Sequence, residues 1–192
     1  MVYLVAIMIG IASGLVAGGS FNNFFDIRLK KGWMFFIAFS IQIVAGIAAA
    51  KGLEYTSAMI WLVAALSYLI LMAGFWFNRY YSGMWVIAIG MLLNASVILT
   101  NGGRMPVDME RLGEKAFDFP SFDIKHVLMN SNTKLPFFAD IITPPSFFAY
   151  FNEIMSVGDI VIAIGFSIVI FELFTKTGKT EKLANNRQSS HT

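Results

Sequence analysis

The chain has 192 residues, 57% of them apolar and only 14% charged, with a net charge of +2 and no cysteine. A water-soluble domain carries about 45–50% apolar and about 25% charged residues, so lipid is the expected solvent for much of this surface. The lack of cysteine excludes disulfides, thiolate metal sites and a cysteine nucleophile. The small net charge, with no basic run interleaved by aromatics, excludes a nucleic-acid interface.

A bilayer core about 30 Å thick takes about 20 apolar residues as a helix. Five stretches meet that length, roughly residues 2–19, 32–50, 57–77, 83–100 and 157–175. The predicted fold is therefore all-α, an integral membrane bundle of five transmembrane helices. One domain covers 1–176, with a structured extracytoplasmic segment, or cap, at 104–155 and a flexible cytoplasmic tail at 177–192.

The first stretch has no basic residues ahead of it and four more spans behind it, so it reads as a retained helix and not a signal peptide. It carries Ala6, Gly10, Gly14 and Gly18 at intervals of four, a smooth face on which another backbone can approach closely. That face can pack inside the chain, with Gly46 and Ala50 of the second span as its mate. It can also meet a second copy or a partner membrane protein. The second span holds Gln42 at mid-depth and the fourth holds Asn94. Amides at that depth bond across helices or line a path. Gly83 and Gly90 read as breaks along such a path.

Orientation follows from the basic residues. Arg28, Lys30, Lys31, Arg79, Lys176, Lys179, Lys182 and Arg187 fall on one side. The other side has Lys51 and a cap in which seven acids outnumber five bases. The expectation is an outside N-terminus and a cytoplasmic C-terminus. Trp33, Trp76, Tyr80, Tyr81 and Trp85 then form an aromatic belt at the cytoplasmic boundary.

The fourth span stops at Asn101-Gly102-Gly103-Arg104-Met105-Pro106-Val107. Glycines here supply the left-handed backbone that ends a helix, Pro106 prevents a restart, and Arg104 is left at a membrane surface. The cap that follows contains nine aromatic residues between Phe117 and Phe151, too many for a solvated linker. Leu135, Phe137, Phe138, Ile141 and Ile142 form one apolar cluster in it. Phe147, Phe148 and Phe151 would share one face of a short helix begun at Thr143-Pro144-Pro145. His126 is the one histidine outside the extreme tail, with Asp123 and Asp140 as nearby acids. It lacks a second histidine at ligand spacing, and no metal site or cofactor motif is expected.

Ser156-Val157-Gly158-Asp159 opens the last span as a serine–x–x–aspartate capping box. Asp159 either serves that cap or pairs with Arg104 to hold a polar head group. Glu172 and Lys176, four apart, read as a surface pair.

The asparagine–glycine–glycine–x–methionine–proline element, the following His126 and the serine–x–glycine–aspartate element resemble those of a family of small bacterial multi-span membrane proteins of unknown function. That resemblance implies a bacterial cytoplasmic membrane and a multi-span fold, and it brings no catalytic residue. The first expectation for function is a non-enzymatic ligand- or lipid-binding or accessory subunit. Its outer site would comprise Asn101, Gly102, Gly103, Arg104, His126 and Asp159. A small transporter or channel component using Gln42 and Asn94 is the alternative. A membrane enzyme acting on lipid head groups, with His126 or Asp159 as base, is the third.

Overall fold

A computed structural model describes residues 2–25, 29–112, 123–143 and 154–189. The helices are α1 (Val2–Val16), α2 (Phe21–Phe25), α3 (Trp33–Ala50), α4 (Ser57–Phe77), α5 (Ser82–Thr100), α6 (Met109–Leu112) and α7 (Val157–Ser189). Two short strands, β1 (Met105–Val107) and β2 (His126–Leu128), and a 3-10 turn at Pro136–Phe138 lie between α5 and α7. Among the described residues, four helices are long and apolar enough to cross a membrane: α3, α4, α5 and the Val157–Thr175 part of α7. The α7 helix then continues to Ser189 through the polar stretch expected as a flexible tail.

The first helix is shorter than the expected 2–19. It ends at Val16 because Gly18 turns left-handed (φ +80°) and the Gly19 N–H bonds back to the Gly14 carbonyl at 2.9 Å. This is the Schellman way of closing a helix. With 15 residues, α1 is apolar but below the length of the other spans.

The last helix organises the bundle, packing on α5 and α1, while α3 packs on α4. Small residues set these distances. A Cβ on Gly90 would stand 2.6 Å from the Gly158 carbonyl oxygen, and one on Gly83 would stand 2.6 Å from the Val169 nitrogen. Gly83 and Gly90 are thus contact points with α7 and not breaks in a path. The face made by Ala6, Gly10 and Gly14 is buried. Its mate is α7, not Gly46 and Ala50: a Cβ on Gly10 or Gly14 would meet Ile170 or Phe174 at 2.7 Å. Ser167 on α7 also donates its hydroxyl to the Ala6 carbonyl at 2.7 Å.

Glu172 is 4% exposed, so the expected surface pairing with Lys176 is corrected. Its two carboxylate oxygens accept the Ser82 and Gly83 N–H groups at 3.1 Å each. They satisfy free donors at the positive end of α5, which no side chain of the local sequence caps. At the same end, Trp76 and Trp85 meet edge to face at 6.1 Å, and Arg79 lies 4.5 Å from the Trp76 ring.

The strands qualify the all-α expectation. Pro106 sits in β1, which runs parallel to β2 with Met105, Pro106 and Val107 opposite His126, Val127 and Leu128. On its other side β1 is bonded to Asp140, whose N–H reaches the Pro106 carbonyl at 3.0 Å and whose carbonyl accepts the Asp108 N–H at 3.1 Å. Proline forfeits one ladder donor but keeps its acceptor. From the expected aromatic cluster, Phe138 and Ile141 pack against buried Val97, Met105 and Ala139, while Phe137 is exposed. Phe117, Phe119, Phe122, Phe147, Phe148 and Phe151 lie outside the described residues.

Candidate functional site: a polar cavity under the cap

The turn after α5 fixes the cap to the bundle. Gly102 (φ +73°) and Gly103 (φ +86°) are both left-handed, as read from the sequence. A Cβ on Gly103 would lie 2.7 Å from the Trp61 Cα, so the turn can touch α4 only through glycine. Asn101 ties the turn to the cap. Its amide donates to the Val97 and Lys134 carbonyls at 2.8 Å each, and its oxygen accepts the Lys134 N–H at 2.9 Å. Gly102 has no neighbour within 4 Å among the described residues.

A cavity of about 290 Å³ lies where the cap meets α3, α4, α5 and α7. Gln42, Ser67, Tyr68, Asn94 and Asp159 reach it from the helices, and Lys125, His126 and Asp140 from the cap. Phe39, Leu71, Met91, Ile98 and Met105 supply apolar wall. The sequence-derived residues Gly103, His126, Asp159, Gln42 and Asn94 are therefore together. Arg104 is not with them, since it lines a second cavity with Glu54, Tyr55 and Ile124.

Asp159 serves the helix cap and does not line the same cavity as Arg104. Its Oδ2 accepts the Ser156 N–H at 2.9 Å while its own N–H donates to the Ser156 hydroxyl at 2.9 Å, a reciprocal capping box. Its Oδ1 accepts the Tyr3 hydroxyl at 2.7 Å and the Asn94 amide at 2.9 Å. The Ser156 hydroxyl in turn donates to the Asn94 oxygen at 2.8 Å. One carboxylate thereby joins α1, α5 and α7 and still borders the cavity.

Asp140 is different. It is 6% exposed, and its Oδ1 is buried without a hydrogen-bond partner among the described residues. Burial first, and then repulsion from Asp159, push its carboxyl up to about 7, a rise that His126 partly opposes. His126 takes its orientation from Asp123: Nδ1 stands 2.9 Å from Asp123 Oδ2, and Asp123 Oδ1 accepts the His126 N–H at 3.0 Å. Burial alone would lower the imidazole's pKa. The hydrogen bond and charge of Asp123, with the charge of Asp140, outweigh it and hold the group above its ordinary value. Burial would raise the Asp123 carboxyl, but the His126 ring and the Lys125 and His126 N–H groups that bond to it outweigh that and hold it below its ordinary value.

Sequence reading missed Asp140 as a site residue, along with Ser67, Tyr68, Lys125 and Tyr3. Asp140 did leave a signal, an acid inside the apolar run Phe137–Ile142. Ser67-Tyr68 is likewise a polar pair in the middle of an apolar span. Tyr3 left none, because its partner lies 156 positions away. Among the described residues no group of three or more His, Asp or Glu is arranged to hold a metal ion.

An uncharacterised protein of Thermotoga maritima is 28% identical over 167 residues, covering 85% of this chain and 84% of the relative. No solved structure matches. The model of a family of unknown function, DUF5317, matches residues 26–171, three-quarters of the chain, and the protein belongs to that family.

Proposed function

We propose that this is a membrane protein that binds a small organic cation, such as a primary amine, in the cavity under the cap, without transforming it. The observation that carries this reading is Asp140. A carboxylate shut away from water, with one oxygen unpartnered among the described residues, is costly unless a donor reaches it. The neighbouring Asp159 has its own donors and offers none back. A ligand that brings both positive charge and N–H donors satisfies the site. Phe39 and Tyr68 give the cavity aromatic lining, which suits a cation, and Leu71, Met91 and Ile98 suit an apolar body. A binding role is favoured over catalysis. His126 and Asp123 form a base and its orienting acid, but the Ser67 hydroxyl is turned to its own helix, donating to the Val63 carbonyl at 2.7 Å.

The membrane placement belongs to the same proposal. The short apolar α1 is the fifth span beside the four longer ones. The N-terminus lies outside and the cap faces the exterior of a bacterial cytoplasmic membrane, following the lysine and arginine bias of the connections. Membrane lipid then covers outward side chains such as Phe36, Val44, Leu62 and Leu69, which are all more than half exposed.

The test is calorimetric titration of the purified full chain with a series from methylamine to putrescine. Saturable binding is expected in the native chain, and Asp140→Asn should weaken it at least about tenfold, the scale of one charge-assisted hydrogen bond. Equal binding by both proteins would sink the assignment. The cavity spans from cap residues to mid-helix Gln42 and Asn94, which favours transport of the same cation as a second reading. Uptake of labelled amine into proteoliposomes, abolished by Asp140→Asn, would select it over binding alone.

A further inference from the structure

The second cavity, about 450 Å³, lies between the α3–α4 connection and the start of β1. We propose that it binds a phospholipid head group, with the phosphate on Arg104 and an attached ammonium toward Glu54 and the Tyr55 ring. The site is independent of the Asp140 cavity.

Its position sets the class of ligand. Three spanning helices begin or end around it: α3 at Ala50, α4 at Ser57 and α5 at Thr100. That is head-group depth, where phosphate is the abundant anion. Arg104 is held rigidly there. The residue before it bonds through Gly103 N–H to the Ile98 carbonyl at 2.8 Å, and the residue after it through Met105 N–H to the Lys125 carbonyl at 2.7 Å. The guanidinium Nε is buried with no hydrogen-bond partner among the described residues. A buried donor left unmade is costly, and the planar fork of arginine matches two phosphate oxygens. A solvated arginine reaching for bulk lipid would keep Nε in water.

Two neighbours narrow the choice further. Glu54 lines the same cavity and is exposed, so a second negative charge beside the phosphate would be repelled. An ammonium on the head group would be drawn to Glu54 and to the face of half-buried Tyr55. Ala49 and Leu53 provide apolar wall for the glycerol end. The chemistry is that of a zwitterionic phosphodiester.

Delipidated full chain in detergent should be titrated with dihexanoyl phosphatidylethanolamine, dihexanoyl phosphatidylglycerol and inorganic phosphate, with bound lipid counted by native mass spectrometry. The ethanolamine lipid should bind about two- to fivefold tighter than the glycerol lipid, the scale of an exposed ion pair, and Arg104→Gln should weaken both by about tenfold or more. Glu54→Gln should erase the preference between the two lipids. Unchanged lipid binding by Arg104→Gln overturns the site. Inorganic phosphate displacing lipid at equal concentration overturns the head-group source. If Arg104→Gln does not fold, Arg104→Lys and Glu54→Gln decide: unaltered affinity together with unaltered preference overturns the proposal.

Discussion

Asp140 and Asp159 are carboxylates bordering one cavity, yet their surroundings make them different groups. Asp159 has three donors from three parts of the fold, while Asp140 has a buried oxygen with none among the described residues. The raised pKa of Asp140 has a consequence for stability. A carboxyl whose folded value lies above its unfolded value stabilises the fold fully below the unfolded pKa and loses that contribution as pH rises through about 7. His126, also raised, acts in the same sense: its contribution is present below its ordinary value and is lost as pH rises through the folded one. Asp123, held low, contributes above the ordinary carboxylate value and loses its share only at acid pH. The Tm of the full chain in detergent should therefore fall between about pH 4 and about pH 7. Asp140→Asn should make that fall shallower, leaving the part due to His126. An unchanged slope would show that Asp140 is not the buried acid described.

Helix contacts in this bundle are made through glycine. Gly90 meets the Gly158 carbonyl, and Gly46 meets nothing within 4 Å among the described residues. Gly90→Ala should destabilise the α5–α7 contact by about 1–3 kcal/mol through overpacking. Gly46→Ala should be neutral or stabilising by up to about 1 kcal/mol from helix propensity. Denaturant unfolding in mixed micelles followed by tryptophan fluorescence would compare them, and equal midpoints would contradict the packing account. Much at this scale was legible in the sequence. The α4 helix runs from Ser57 to Phe77 as its apolar run implied, and Gly102 and Gly103 turn left-handed at the end of α5. Pro106 was legible only as a residue that stops a helix. Its strand depends on pairing with residues 126–128, which no local pattern encodes. Glu172 misled for a similar reason. Its spacing to Lys176 is a surface signature, while its actual bonds reach across 90 positions to α5.

At the scale of the molecule, the apolar runs announce membrane helices, but the site is assembled by contacts of high sequence separation. Tyr3 bonds to Asp159, and the two strand partners of Asp140 and His126 meet on β1. Such contacts are written in tertiary packing rather than in motif spacing, which is why Arg104 and Asp159 looked like partners and line separate cavities. The proposed orientation is directly testable because the chain has no cysteine. Ser131→Cys, in the cap, should react with a membrane-impermeant maleimide on intact cells, and Lys30→Cys should react only after permeabilisation. The reverse pattern would invert the topology.

The central claim is that Asp140 releases its proton to solvent when a cation binds beside it. Calorimetry of amine binding to the full chain, run at one pH in two buffers of different ionisation enthalpy, counts the protons released. With the carboxyl at about 7, binding at pH 7 should release about half a proton, falling toward none near pH 9. Asp140→Asn should release clearly less at pH 7, leaving only the share that His126 sheds. Full-affinity binding with no proton released at pH 7, or the same release from Asp140→Asn, would contradict the account.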